Sequence, residues 1–179
     1  MNYDIDAFLG IAFSEARPPI DVVYDLWGML ESDEDQQLRP DTQLLPPEIH
    51  FRDLAHFHSA YMGNGFDGLL DAGNGRSMFR RALVAAKEVA LDDVFAILTE
   101  ADLVFRRHSI SLPPSVQSEW WLDGIGVIPQ ETLDLVRKDT ADLTAAYRAL
   151  PVWPASGCVF SRLLDYMGRH RHELLNRHA

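Results

Sequence analysis

The sequence predicts an all-α protein, a single-domain bundle of about seven helices with a glycine-rich double turn. Three observations carry this. Apolar residues recur at spacings of three and four through most of the 179 residues, which is the period of a helix face. Proline pairs punctuate these segments at Pro18-Pro19, Pro46-Pro47 and Pro113-Pro114, where a helix interior would not tolerate them. Five of the eleven glycines fall in one stretch, His56 to Gly75. The length favours one domain, and 47% apolar with 24% charged residues is ordinary globular composition.

The elements follow in order. Ile5, Phe8, Leu9, Ile11, Ala12 and Phe13 suit a short helix docking on the core. Pro19 opens the next helix at its first position, and Ile20, Val23, Trp27 and Leu30 give it an apolar face. Asp21 and Asp25 lie elsewhere on its surface. Glu31-Ser32-Asp33-Glu34-Asp35 and the residues to Asp41 form a charge run that reads as an exposed loop. Pro46-Pro47 closes that loop and opens a helix through Leu54, Phe57 and Tyr61.

Gly63 or Gly65 then stops this helix by entering the left-handed region. Phe66, Leu69 and Leu70 resume a helical pattern until Gly73-Asn74-Gly75 stops it again. Gly63-Asn64-Gly65-Phe66-Asp67-Gly68 matches GxGxxG letter for letter. A dinucleotide site needs a strand before that motif, and here the preceding residues are helix-patterned.

Phe79, Ala82, Leu83, Ala86 and Val89 or Ala90 mark the next helix, with Arg80, Arg81, Lys87 and Glu88 expected on its exposed face. Asp92 is placed to cap the following helix with its side chain. Val94, Phe95, Leu98, Asp102 and Phe105 run along that helix, and Arg106-Arg107 suit its C-terminal dipole. Val116 to Leu122, with Trp120 and Trp121, allows one or two helical turns. Pro129 starts a long helix to Leu150, with Asp134 and Lys138 as an i, i+4 pair. Val159, Phe160, Leu163, Leu164 and Met167 form a last helix with a basic end.

The glycine stretch also resembles a bacterial family of small, helical, largely uncharacterised proteins whose best-known member is an acidic DNA mimic. Family members run helix, Asn-Gly-Gly-Phe-type break, short helix, Ser/Asn-Gly turn, two helices. Asn64-Gly65-Phe66 and Asn74-Gly75 stand at the break and the turn, and the likeness covers Leu54 to Phe105. Gly63, Asn64, Gly65, Phe66, Asn74 and Gly75 are thus its structural motif. The resemblance implies a helical fold and a basic partner, such as a DNA-binding protein whose nucleic-acid face is occupied.

Charge is uneven. The chain carries −11, and residues 1–60 hold twelve Asp/Glu against three Arg, a local −9. Residues 61–150 contribute −4 and residues 151–179 contribute +2. Such a field repels nucleic acid and anionic membrane surfaces and attracts basic partners. Solubility alone also explains it. The residues expected to meet a partner are Asp21, Asp25, Glu31, Asp33, Glu34, Asp35 and Asp41.

Chemistry-bearing constellations are sparse. His56 and His58 are two residues apart, about 200° around a helix, and diverge, as do His170 and His172. No HExxH occurs, so no metal site is expected. No GxSxG elbow occurs either. Asp67 and Asp71 are candidates for paired acid/base work, with a polar helix surface as the plainer reading. The single cysteine, Cys158, permits no internal disulfide and reads as a small buried hydrophobe in a reducing compartment. The N-terminus lacks a basic n-region and no 18-residue apolar run occurs, so a cytoplasmic location is expected. The functional expectation is a non-catalytic acidic interaction protein with no cofactor. The alternatives are a toxin-neutralising immunity-type protein and an enzyme with a pocket near the glycine stretch.

Overall fold

The computed structural model describes residues 19–30, 41, 44–72, 74–113, 127–151 and 155–176, with the side chains of 19–22, 25, 29, 175 and 176 left out. The helices expected over 1–17 and 116–122 lie outside the described residues, as does the charge run from Glu31 as far as Pro40. Eight helices are described: α1 (Pro19–Leu30), α2 (Pro46–Asp71), α3 (Gly75–Val89), α4 (Asp92–Arg107), α5 (Gln130–Asp139), α6 (Ala141–Arg148), α7 (Val159–Arg169) and α8 (Arg171–Asn176). No strand occurs among the described residues, so the chain is all-α as its periodicity predicts. It divides into two compact units, Met1–Arg52 with Pro151–Ala179, and Asp53–Leu150. The boundary falls within α2.

In the first unit α1 packs on α7. Val23, Leu26 and Leu30 are wholly buried, and burying each such side chain stabilises by about 1.5–3 kcal/mol. Trp27 is only partly buried, so the inward face centres on Leu26 rather than on Trp27. From α7, Val159, Phe160, Leu163, Leu164, Tyr166 and Met167 are buried. The α2 N-terminus follows its sequence. Pro46 occupies the first helical position, where a missing N–H costs nothing. Glu48 Oε2 accepts from the Leu45 N–H at 2.6 Å, which is the reach-back half of a capping box. Cys158 is buried and caps α7, its Sγ accepting from the Ser161 N–H at 3.4 Å. The last expected helix is broken at His170, which separates α7 from α8 and pairs with Glu173 at 2.9 Å.

The second unit is built round the break in α2. Gly65 has φ 69° and ψ −172°, a region that only glycine visits without strain. The chain therefore kinks there and resumes as helix. Gly63 stays helical, and open space surrounds the position a Cβ would take. Gly75 is the second required glycine, because a Cβ would stand 1.6 Å from the Leu69 carbonyl oxygen. Phe57, Tyr61 and Phe66 from either side of the kink meet Phe79, Phe105 and Tyr147 in one aromatic core. The Tyr61–Tyr147, Tyr61–Phe66 and Phe79–Phe105 ring centroids lie 4.4, 4.6 and 4.8 Å apart, at the near end of the favourable range for tilted and edge-on pairs.

Three local expectations are corrected. Arg81 is not on an exposed face. It is 1% exposed, and its Nε donates to Asp53 Oδ2 at 2.9 Å. The cause is that α3 is buried round most of its circumference, so a charged side chain pointing inward needs a partner. Asp92 does not cap α4. Leu91 occupies that position with no side-chain bond, and Asp93 Oδ1 accepts from the Val94 N–H at 2.8 Å. The turn before it explains this: the Ala90 and Leu91 N–H groups bond to the Lys87 and Ala86 carbonyls in a Schellman motif, which fixes where the next helix can begin. The long helix from Pro129 is two helices, broken at Thr140 (φ −102°, ψ 7°). Thr140 is buried, and its Oγ1 donates to the Val136 carbonyl at 2.8 Å, a side-chain bond that competes with the helix ladder.

Candidate functional site

The acidic residues expected to meet a partner are placed as follows. Asp21 and Asp25 lie in α1, and their side chains fall outside the described residues. Glu31, Asp33, Glu34 and Asp35 also fall outside them. Asp41 is engaged internally: its Oδ1 accepts from Nη2 of the fully buried Arg52 at 2.8 Å. Glu48 and Asp53, two further acids of the first third, are buried. The described part of this acidic third therefore turns its carboxylates inward to hold α2.

The glycine motif is structural where it is described. Gly65 makes the kink, Phe66 enters the aromatic core, and Asn74-Gly75 separates α2 from α3. Asn64 Nδ2 donates to the Ala60 carbonyl at 3.0 Å across the preceding turn. Helix precedes and follows the GxGxxG letters, so the strand that a dinucleotide site requires is missing from this segment. Asp67 does not act with Asp71. It accepts from Arg137 Nε at 2.8 Å, tying α2 to α5, while Asp71 is exposed.

Two histidines face side-chain partners within the second unit. His58 Nδ1 lies 2.9 Å from the Tyr147 hydroxyl, and burial lowers its pKa from 6.5 to about 4. His108 Nε2 lies 2.9 Å from Asp139 Oδ2. Among the described residues no three His, Cys, Asp or Glu side chains come together as a metal set. No described helix is long and apolar enough to cross a membrane.

One cavity gathers polar chemistry that sequence reasoning missed. It measures about 370 Å³ and is lined by Arg80, Asp102, Arg106, Ser111, Leu112 and Pro113. Arg80 comes from α3. Asp102 and Arg106 lie one turn apart on α4, and Ser111 to Pro113 follow that helix in irregular chain. Arg106 Nη2 donates to Asp102 Oδ2 at 2.6 Å. The other carboxylate oxygen, Asp102 Oδ1, is buried and has no hydrogen-bond partner, and the same holds for Arg80 Nε. Two guanidiniums and one carboxylate leave this wall with a formal charge of +1. Guanidinium and hydroxyl donors suit an oxyanion, and an unpaired carboxylate oxygen suits an N–H or O–H donor. The sequence held one signal for it: Asp102 shares its helix register with Val94, Leu98 and Phe105, a carboxylate in an apolar row.

No family model, curated protein or solved structure matches the chain.

Proposed function

We propose that the protein is a non-catalytic acidic interaction protein that presents carboxylates from its first third to a basic partner. The observation that carries this reading is the division of charge. Residues 1–60 hold twelve acids and three arginines. Of these, Asp41 is paired with Arg52, Asp53 is paired with Arg81, and Glu48 is buried. Nine acids are then left over, with Arg17 and Arg39 as the only remaining bases of that stretch. Among the described residues the internal pairs thus remove both signs and still leave an excess of seven acids in that stretch. Asp21, Asp25, Glu31, Asp33, Glu34 and Asp35 belong to that excess.

A DNA-binding protein is the partner that fits the charge and the family resemblance together. DNA carries one charge about every 3.4 Å per strand, and helical carboxylates three or four residues apart approach that spacing coarsely. The test is capture of basic proteins from the host lysate on the immobilised chain, with elution by salt and by duplex DNA. Partners released by either are the expected result. Neutralising Asp33, Glu34 and Asp35 together must weaken retention and flatten its salt dependence; unchanged retention would sink the proposal. A single salt-resistant partner with toxic activity would favour an immunity role instead.

A further inference from the structure

We propose that the cavity between α3 and α4 binds a small carboxylic acid bearing a hydroxyl or ammonium group next to its carboxylate. This goes beyond the acidic-surface reading and does not depend on it. Two independent observations point to a ligand. The first is the cavity itself, whose 370 Å³ lies at the small end of the range for ligand pockets. The second is the pair of buried, unpartnered polar atoms on residues of its wall, Asp102 Oδ1 and Arg80 Nε. Asp102 is 6% exposed, so water in bulk does not satisfy it. Buried polar atoms are nearly always paired, and a ligand that turns the Asp102 and Arg80 side chains toward the cavity and supplies both a donor and an acceptor would pair these two.

The chemistry narrows the class. The planar guanidiniums of Arg80 and Arg106 match a carboxylate, and Arg106 is already held in place by Asp102 Oδ2 at 2.6 Å. The wall's single excess positive charge suits a monoanion better than a dianion such as a phosphate monoester. Asp102 Oδ1 accepts only, so the group beside the ligand's carboxylate must donate. Leu112 and Pro113 supply an apolar wall for a short side chain. Acids of the 2-hydroxy and 2-amino type carry these features in the smallest frame.

The test uses the full chain and three two-carbon acids that differ in one group: glycolate, glycine and acetate. Binding is followed by amide shifts in a titration at low ionic strength, with inorganic phosphate as a fourth probe. Glycolate or glycine should bind at least about tenfold more tightly than acetate, as a hydrogen bond to a charged group requires. The shifts should centre on Arg80, Asp102, Arg106 and Ser111. Arg80→Gln should weaken every acid, and Asp102→Asn should narrow the preference over acetate. Ser111→Ala, at an exposed position, serves as the second variant if Asp102→Asn does not fold, and should weaken binding of all three acids. Equal affinity for acetate, tighter binding of phosphate, scattered shifts, no saturation by about 100 mM, or indifference to Arg80→Gln would each overturn the proposal.

Discussion

Replacing Arg81 with methionine should cost about 3–5 kcal/mol, the range for breaking a buried ion pair by removing one partner. The structure sets this expectation. The Arg81 and Asp53 side chains are 0% and 3% exposed and meet at 2.9 Å, so removing the guanidinium takes a partner from a buried carboxylate with little water to replace it. Methionine fills much of the arginine stem's volume, which separates the electrostatic loss from a cavity. Against a total stability of about 5–15 kcal/mol, this loss would be a large fraction. Urea unfolding followed by far-UV circular dichroism would read it. With a slope of about 2 kcal/mol per molar, the midpoint should fall by roughly 2 M. The double variant Asp53→Leu/Arg81→Met removes both charges and should recover at least about half of the loss. A single variant that costs under about 1 kcal/mol, or a double variant no better than the single, would refute the view that this pair is a buried electrostatic unit.

Three further outcomes follow from local geometry. Gly75→Ala should destabilise by at least about 2 kcal/mol, because its Cβ would meet the Leu69 carbonyl and main chain yields less readily than a side chain; thermal unfolding reads this. Ala90 holds φ 61° in the Schellman turn, so Ala90→Gly should stabilise by about 1 kcal/mol and raise the melting temperature by about 2–4 °C. His58 titrates at about 4 in the folded protein against 6.5 for the free side chain. The unfolded chain therefore takes up the proton first, and stability present above pH 6.5 is lost as pH falls toward 4. His58→Gln should flatten that part of the stability profile in urea titrations at stepped pH, and an unaltered profile would contradict the assignment.

Helix positions were legible wherever one face alone is buried. Leu133 and Val136 announce their inward side because charged residues, Asp134, Arg137 and Lys138 among them, fill most of the rest of the turn. The kink was legible because Gly65 is a residue that allows it. Legibility failed where burial surrounds a helix. Arg81 looks like surface from its neighbours Arg80 and Lys87, and its partner Asp53 is 28 residues away. Thr140 gave no local signal either, since its helix break depends on its own burial. The cavity was hidden for a different reason. Arg80, Asp102 and Ser111 come from two helices and an irregular segment, and no single period joins them.

The division of the chain has a consequence for its birth on the ribosome. Asp53–Leu150 is continuous in sequence, whereas the other unit is written in two pieces, Met1–Arg52 and Pro151–Ala179. At about 5–20 residues per second, the intervening stretch takes roughly 5–20 s to synthesise. During that interval Val23, Leu26 and Leu30 of α1 have no α7 to cover them. The aromatic core around Phe57 and Phe79 can close first, and α1 must wait for the last helices to emerge. Vectorial synthesis thus imposes an order of assembly in which α1, made before Asp53–Leu150, is covered after it.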